Sequence, residues 1–211
     1  MNQYKERVLA KLHFYYSAMN AGKSTTLLQS SHNYNERGMD TMLFTPDFDD
    51  RGGSGKITSR LGLSAEAQSF NKVFNFAISV RNAKKANENL SCILVDEAQF
   101  LTKNQVRQLC YVADFLDLPV LAYGLRNDFL GESFEGSMYL LIWADVLIEL
   151  KTICTSGKKA TMILRVDEQG KPVLQGDQVE IGGNERYVSV SRKQFSLIHG
   201  WDKQCLAEKQ L

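Results

Sequence analysis

The chain has 211 residues, enough to bury a sizeable core in one main domain with a small additional one. Its 25 basic and 24 acidic residues give a net charge of +1, so the overall charge gives no reason to expect binding to nucleic acid or to an anionic membrane. The first residues lack the apolar core of a signal peptide, and the apolar stretch at 138–150 is interrupted by Asp145 and Glu149, so we expect a cytoplasmic protein.

A phosphate-binding loop is predicted between the first strand and the first helix. Residues 11–16 are rich in aromatic and apolar side chains, as in a buried strand, and residues 25–37 can continue as a helix. The connecting residues are Ser17, Ala18, Met19, Asn20, Ala21, Gly22, Lys23 and Ser24. Gly22 would let backbone N–H groups approach a polyphosphate, Lys23 would reach the β- and γ-phosphates, and Ser24 would offer a hydroxyl to Mg²⁺.

This loop departs from the full P-loop pattern at its first position. The pattern is Gly-x4-Gly-Lys-Ser/Thr, and Ser17 stands where the first glycine is expected. The shorter string Gly-Lys-Ser-Thr also suits an ordinary helix start. The phosphate-site interpretation therefore depends on the preceding strand and on an acidic site further along the chain.

An acidic segment follows the second predicted strand, residues 41–45. Asp49 and Arg51 lie in this segment, directly before the glycine-rich residues 52–55, which we expect to form a mobile loop. The carboxylates of Asp47, Asp49 and Asp50 could bind Mg²⁺, and Arg51 could bind phosphate. Alternatively, this segment could form an ordinary solvated turn. The residues alone leave both interpretations open.

The second strong signal is a pair of carboxylates at the end of a buried strand. After a weakly specified helix at 73–88, the apolar residues 91–95 lead directly into Asp96 and Glu97. This pattern is typical of a Walker B strand in a parallel sheet, where ligands bind at the carboxyl ends of the strands. We therefore predict that Asp96 binds Mg²⁺ through water and that Glu97 acts as a general base.

The remaining elements of the first part complete an α/β fold. Thr102 and Gln105 form the pattern of a capping box that opens a helix to about Phe115, and residues 119–124 and 145–150 are typical of further buried strands. Alternating strands and helices imply a mostly parallel sheet flanked by helices. We therefore expect a P-loop nucleotide-binding domain over residues 1–150.

Beyond residue 150 the pattern changes to short strands. Residues 159–166 and 187–191 are typical of antiparallel strands, with a loop at 167–172 between them. We expect a small β domain over residues 151–195, followed by a C-terminal tail at 196–211.

Four motifs resemble the type II thymidine kinases, and most closely their bacterial branch. They are Ser-Ala-Met-Asn-Ala-Gly-Lys-Ser-Thr at 17–25, Asp-x-Arg at 49–51, Val-Asp-Glu-Ala-Gln-Phe at 95–100 and Ile-Gly-Gly-Asn-Glu-Arg-Tyr at 181–187. The resemblance implies transfer of the γ-phosphate of ATP to the 5′-hydroxyl of thymidine. It also implies a homotetramer in which each P-loop domain carries a small domain with a lasso-shaped loop, and it makes feedback binding of dTTP an expectation.

The resemblance assigns roles to the residues of the phosphate side. Glu97 is the expected base for the 5′-hydroxyl proton, and Lys23 and Arg51 are the expected cations at the transferring phosphate. The expected Mg²⁺ ligands are Ser24, Asp96 and Asp49. The expected ATP-binding residues are Ser17, Ala18, Met19, Asn20, Ala21, Gly22, Lys23, Ser24, Asp96, Glu97, Ala98 and Gln99.

The resemblance also assigns the nucleoside side. The expected apolar walls are Phe100, Leu125, Phe129 and Phe134, and the expected lasso residues are Ile181, Gly182, Gly183 and Tyr187. Backbone groups of such a loop can bond the N3–H and carbonyl groups of thymine, whereas N3 of cytosine carries no proton. Without the resemblance, each single phenylalanine would be interpreted as ordinary core.

Two other functions stay open at this point. Asp96-Glu97-Ala98-Gln99 resembles the DExx box of helicase-like ATPases, in which Glu97 would activate water, although such motors need two such domains. The second alternative is a nucleotide-binding relative that has lost turnover. The presence of Lys23, Ser24, Asp96 and Glu97 argues against it.

The predicted small domain departs from the family at its zinc site. Bacterial relatives carry Cys-x-Cys and Cys-x-x-His as zinc-ligand pairs, whereas this chain has Cys154-Thr155-Ser156 and Ser191-Arg192-Lys193-Gln194. Neutral serine and glutamine side chains are poor zinc ligands. We therefore predict that structural zinc is absent, with Cys205 and His199 as the replacement ligands to consider if zinc does bind.

Overall fold

The first part of the chain contains the long strands and most of the helices, and short strands dominate the second part. The structure is a computed structural model, which describes residues 9–48, 53, 55–179 and 186–207. The strands are β1 (Leu12–Ser17), β2 (Asp40–Pro46), β3 (Lys56–Thr58), β4 (Ser64–Glu66), β5 (Gln68–Phe70), β6 (Leu90–Val95), β7 (Val120–Leu125), β8 (Val146–Glu149), β9 (Thr152–Ile153), β10 (Lys159–Ala160), β11 (Met162–Val166), β12 (Pro172–Val173) and β13 (Tyr187–Val190). The helices are α1 (Lys23–Asn35), α2 (Phe76–Ala86), α3 (Lys103–Leu116), α4 (Glu135–Trp143), α5 (Arg192–Ile198) and α6 (Trp201–Ala207).

The central sheet has six parallel strands in the order β5-β2-β6-β7-β1-β8. Helix α1 covers one face, where Leu27 packs in one core with Leu94, and α2, α3 and α4 cover the other, where Val106 packs in a second core with Val95. From Cys92 to Val95, successive residues of β6 enter alternate cores, which explains why this part of the strand is apolar. The predicted parallel sheet flanked by helices is confirmed.

The parallel arrangement brings the carboxyl ends of the strands to one edge of the sheet. Ser17 ends β1, Val95 ends β6 and Leu125 ends β7, and β7 lies between the other two. The residues that follow each strand therefore meet at this edge, as expected for a ligand site in an open α/β sheet.

Helix α3 begins as predicted, with a capping box. The side chain of Thr102 accepts from the backbone N–H of Gln105, and the side chain of Gln105 accepts from the backbone N–H of Thr102. Gln105 also donates to the carbonyl oxygens of Asn71 and Phe74, so the same residue fixes the chain that leads into α2.

Helix α4 differs from the predicted pattern, which has no helix between residues 124 and 145. Its residues are apolar on nearly every side, so no helical stripe marks it in the sequence. A Cβ on Gly136 would lie 2.4 Å from the carbonyl oxygen of Ala98, and glycine therefore lets α4 approach the short 3₁₀ turn Ala98–Phe100. No helix in the described ranges, α4 included, has both the length and the apolar character needed to cross a bilayer.

The second part of the chain forms two small antiparallel sheets. The predicted strand at 159–166 is divided: β10 pairs with β9, and β11 lies between β12 and β13. Helix α5 runs across the expected boundary at residues 195 and 196, because Phe195 is fully buried with Met162, Leu164 and Val190. The core of α5 therefore belongs to the three-stranded sheet.

Candidate active site

The predicted phosphate-binding loop connects β1 to α1. Gly22 has a left-handed φ of 77°, and no atom lies within 4 Å of the position its Cβ would take, so its backbone conformation is what calls for glycine. Lys23 is buried, and its Nζ donates to Ser17 Oγ at 3.3 Å and to the carbonyl oxygen of Ala18 at 3.4 Å. The ammonium group is thus held at the N-terminus of α1, where free backbone N–H groups and the helix dipole favour an anion.

Ser17 replaces the first P-loop glycine without backbone strain. The non-glycine residues with positive φ in the described part of the chain are Asn20, Glu97 and Asp117, so Ser17 does not need the freedom of glycine. Its buried hydroxyl donates to the carbonyl oxygen of Ala18 at 2.7 Å and accepts from Lys23. The departure from the usual pattern therefore gives Lys23 an additional partner.

Asp96 follows β6 and faces the first turn of α1. The Ser24 hydroxyl donates to Asp96 Oδ2 at 2.9 Å, and the backbone N–H of Glu97 donates to Oδ1 at 3.0 Å. Burial, with a further contribution from the Glu97 carboxylate, raises the pKa of Asp96 to about 7. A divalent cation would offset both effects, and hydroxyl and carboxylate oxygens suit Mg²⁺. Ser24 and Asp96 therefore fit a Mg²⁺ site beside the phosphate loop.

Glu97 combines a strained backbone with a fixed carboxylate. Its φ of 48° lies in the left-handed region, which non-glycine residues rarely adopt. Buried Gln99 donates from Nε2 to Glu97 Oε2 at 2.6 Å, and Gln99 Oε1 accepts from the backbone N–H of Leu125 at 3.0 Å. A Cβ on Gly124 would lie 3.0 Å from both the backbone nitrogen and Oε1 of Gln99, so glycine makes room for this bridge between β6 and β7.

A cavity of about 430 Å³ joins the phosphate loop, the first turn of α1 and Glu97. Its other wall is the turn of the β3–β4 hairpin, with Thr58, Ser59, Arg60 and Leu61. The backbone N–H of Leu63 donates to Ser59 Oγ at 3.2 Å, and the N–H of Ser59 donates to the carbonyl oxygen of Leu63 at 2.8 Å, which fixes the shape of the turn. The sequence predicted a mobile glycine-rich loop just before this turn but not the hairpin itself, because three-residue strands are too short to show an alternating pattern.

An apolar cluster adjoins the phosphate loop on the other side. It consists of Ala18, Leu125, Phe134 and Ile163, with Met19, Phe100 and Tyr187 packed against it. The Phe100 ring meets the ring of Phe134 edge-on at a centroid distance of 5.8 Å, and that of Phe48 at 4.9 Å. Four residues predicted for the nucleoside side, Phe100, Leu125, Phe134 and Tyr187, therefore come together in this cluster. The sequence did not indicate Ile163 as a member or Phe48 as a neighbour of Phe100.

Comparison with known proteins identifies the family. The family model for thymidine kinase matches residues 10–195. The chain is 60% identical over 189 residues to the thymidine kinase of Coxiella burnetii, covering 90% of this chain and 96% of that protein. It is 62% identical over 187 residues to the thymidine kinase of Rhodopirellula baltica, covering 89% of this chain and 88% of that protein.

The chain belongs to the thymidine kinase family.

Family membership confirms the resemblance seen in the four motifs. Thymidine kinases are ATP-dependent enzymes, and the described phosphate loop, Ser24 and Asp96 have the chemistry that such an enzyme needs. Family membership does not test the roles of individual residues. Asp49, Arg51, Ile181, Gly182 and Gly183 lie outside the described residues, and their roles stay predictions.

One predicted wall residue of the thymidine kinase nucleoside pocket lies apart from the apolar cluster. Phe129 is fully buried, and the guanidinium carbon of Arg165 lies 3.9 Å from the centroid of its ring. One face of the Phe129 ring is therefore covered by the guanidinium group of Arg165. Its role as a pocket wall stays a prediction.

The position of the family's zinc site holds a hydrogen-bonded cysteine. Cys154 Sγ lies 3.1 Å from Ser156 Oγ, and this hydrogen bond, with the backbone N–H groups of Ser156, Lys158 and Ser191, lowers the pKa of the Cys154 thiol. Ser191 and Gln194 form a capping box at the start of α5. Over the described ranges, no three His, Cys, Asp or Glu side chains are grouped to hold a metal ion. One thiol with neutral oxygen partners does not fit structural zinc.

Proposed function

We propose that this protein is a thymidine kinase that transfers the γ-phosphate of ATP to the 5′-hydroxyl of thymidine. The observation that carries the proposal is the position of Glu97, which borders the same cavity as Lys23 and Ser24. A carboxylate beside a triphosphate site can accept the proton of a hydroxyl that attacks the γ-phosphate. Identity of about 60% to thymidine kinases supports thymidine as the acceptor.

In the proposed reaction, the residues of this chain mainly align the reactants and neutralise charge. The phosphate loop and Lys23 bind the polyphosphate, and Glu97 accepts the 5′-hydroxyl proton with its carboxylate oriented by Gln99. Ser24 and Asp96 would hold Mg²⁺, which would supply positive charge beside the polyphosphate. Asp49 and Arg51 are proposed to act beside the metal and the phosphate.

The apolar cluster is the proposed site of the thymine ring. Phe100, Leu125 and Phe134 offer apolar surface next to the phosphate loop, and Tyr187 lies against them. We propose that Phe129 supports this wall. We also propose that Ile181, Gly182 and Gly183 supply the backbone groups that form hydrogen bonds with the N3–H and carbonyl groups of thymine.

The test is ADP release from ATP with Mg²⁺ and a panel of nucleosides: thymidine, deoxyuridine, deoxycytidine and none. We expect release to require thymidine or deoxyuridine, because deoxycytidine lacks the N3 proton. ADP release that does not depend on a nucleoside would instead favour a helicase-like ATPase. ATP binding without any release would favour a relative that has lost turnover.

We further propose a cytoplasmic homotetramer that is inhibited by dTTP. We also propose a P-loop domain over residues 1–150, a lasso-bearing domain over 151–195 and a tail over 196–211. Family membership supports these proposals. Light scattering for the mass of the assembly and thymidine kinetics with added dTTP test them.

We propose that the small domain folds without structural zinc. The capping box of Ser191 and Gln194 supports this, because it engages both side chains at the start of α5. Apolar packing of Met162, Leu164 and Phe195 would then hold the three-stranded sheet.

A further inference from the structure

A buried arginine of β11 lies beside the apolar cluster formed by Ala18, Leu125, Phe134 and Ile163. Arg165 is in β11, two residues beyond Ile163 and so on the same face of the strand, and it pairs in register with Tyr187 of β13. Ile163 belongs to the cluster and Tyr187 packs against it. Only 7% of Arg165 is exposed, so its charge is enclosed by the protein.

The guanidinium of Arg165 connects two segments that are distant in sequence. Nη1 donates to the carbonyl oxygen of Asp177 at 3.0 Å, and Nη2 donates to that of Gln175 at 3.2 Å. Its plane also covers the ring of Phe129 at 3.9 Å. A planar group with several donors can make both kinds of contact at once, whereas the single ammonium of lysine cannot. Arg165 therefore ties residues 175–177 to the connection between β7 and α4.

A second contact holds the same segment to the same connection. Gln178 Nε2 donates to Asp128 Oδ2 at 2.8 Å. The other oxygen of this buried carboxylate accepts from the backbone N–H groups of Leu130 at 2.9 Å and Glu132 at 2.8 Å. Asp128 thus shapes the connection that runs from Leu125 to Phe134 while it binds the segment.

Gly176 allows the segment to come this close. Its φ is 132°, and a Cβ there would lie 2.2 Å from Nη2 of Arg165. Any other residue would have to displace either the guanidinium or the segment.

We propose that Arg165 is a positioning residue of the nucleoside pocket. It holds residues 175–178 against Phe129, and so fixes the spacing between the β7–α4 connection, which carries Leu125 and Phe134, and the β11–β13 pair, which carries Ile163 and Tyr187. The proposal rests on the proposed function, because it names a determinant of thymidine binding. Arg165 acts on the thymidine side of the site, so its loss changes thymidine binding and leaves ATP binding unchanged.

The first test is the kinetics of Arg165→Lys, which keeps the charge and loses the planar fork. We expect the KM for thymidine to rise roughly tenfold, the order of effect of losing a hydrogen bond to a charged group, with kcat and the KM for ATP within about twofold of the wild type. Arg192→Lys is the matched control, an exposed arginine in the same part of the chain, and should change nothing. An unchanged KM for thymidine, or an equal rise in both KM values, would overturn the proposal.

Gly176→Ala tests the contact between Arg165 and residues 175–177 by changing the segment, and leaves the arginine in place. It should raise the KM for thymidine by a similar factor. In the double variant Arg165→Lys with Gly176→Ala, the rise should be no larger than in the more severe single variant, because both substitutions break one contact. If the factors by which the two single substitutions raise the KM for thymidine multiplied in the double variant, the two residues would have independent roles and the proposal would be overturned.

Hydrogen exchange of residues 174–179 without substrate tests the anchoring separately from turnover. Exchange should be faster in Arg165→Lys and in the milder Gln178→Ala than in the wild type, while exchange in β6 stays the same. If the wild type phosphorylated no thymidine, the proposed function would be wrong, yet faster exchange would still support the anchoring. Unchanged exchange in both variants would overturn the proposal whatever the activity.

Discussion

Glu97 is held ready before any substrate binds. A left-handed backbone costs a non-glycine residue roughly 1–3 kcal/mol and persists only where the surrounding structure enforces it. Here the 3₁₀ turn that follows and the bridge through Gln99 to Leu125 supply that enforcement. In the proposed role of general base, the carboxylate therefore needs little reorganisation to meet an incoming hydroxyl.

Glu97→Gln should lower kcat roughly 10²–10⁴-fold, because the proton acceptor is lost while the side-chain volume is kept. ATP and thymidine should still bind nearly as tightly as in the wild type. Steady-state kinetics with binding measured by calorimetry check this, and the exposed Glu88→Gln is the control. A variant that kept more than a tenth of the wild-type rate would remove Glu97 from the role of base.

The residues that could be predicted at this scale are those with a local pattern. Lys23 and Ser24 follow a glycine at a helix start, and Asp96 and Glu97 end an apolar strand. Gln99 was expected at the ATP site only through the family resemblance, and its contact with Leu125 lies 26 residues away in sequence. Arg165 was not predicted, because its hydrogen-bond partners lie 10 and 12 residues away. Their roles depend on the tertiary structure.

The β3–β4 hairpin brings a second cation to the cavity beside the predicted phosphate loop. Arg60 is exposed at its turn and lines the same cavity as Lys23. The hairpin is anchored by Ile57, which is buried against α1 in the core that contains Leu27 and Leu28. Three-residue strands with one buried side chain are too short for an alternating pattern, so the sequence predicted only a loop here.

Arg60→Ala should raise the KM for ATP by roughly threefold to tenfold, because a cation beside the phosphates is lost from a solvent-exposed position. The KM for thymidine should be unchanged. Initial-rate kinetics at varied ATP check this, with Arg81→Ala on the exposed face of α2 as the control. Equal KM values for ATP in Arg60→Ala and the wild type would show that the hairpin does not contact the triphosphate.

At the start of α5, helix capping occupies the residues that align with a zinc-ligand pair. Ser191 Oγ accepts from the backbone N–H of Gln194, and Gln194 Oε1 accepts from that of Ser191. A cap of this kind contributes about 1 kcal/mol to helix stability. The capping box can therefore start α5 without a metal ligand at these two positions.

The purified wild type should contain well under one zinc per chain, whereas Ser156→Cys, Ser191→Cys and Gln194→His together should bind about one. The three changes, with Cys154, complete a Cys₃His ligand set. Elemental analysis of protein purified without chelator measures both. One zinc in the wild type would contradict the account and direct attention to Cys205 and His199.

Over the whole molecule, the two parts differ in the size of their cores. Each face of the central sheet packs in a large core, whereas one face of the three-stranded sheet packs in a small cluster of Met162, Leu164, Val190 and Phe195. Ser189 Oγ donates to the carbonyl oxygen of Met19 at 2.6 Å and so joins the small sheet to the phosphate loop. The parallel sheet could be predicted from its long apolar strands. The division of the predicted strand 159–166 into β10 and β11 could not be predicted, because it depends on the strands with which the two halves pair.

Backbone amides of β11 and β13 should exchange with solvent faster than those of β6 and β7, because a small core opens at lower free energy. ATP with Mg²⁺ should slow exchange in β13, since Ser189 contacts Met19 of the predicted phosphate loop. Hydrogen exchange with mass spectrometry checks both, with β6 as the internal reference. Equal protection of all four strands without ligand would show that the two parts open together.

The central claim is phosphoryl transfer to thymidine, and the most direct measurement is the product itself. The purified wild type and Glu97→Gln are each incubated with ATP, Mg²⁺ and thymidine, and the nucleotides are identified by mass spectrometry. We predict thymidine 5′-monophosphate and ADP in equal amounts with the wild type, and at least a hundredfold slower formation with the variant. ADP without thymidine 5′-monophosphate, or equal product from both proteins, would contradict the account.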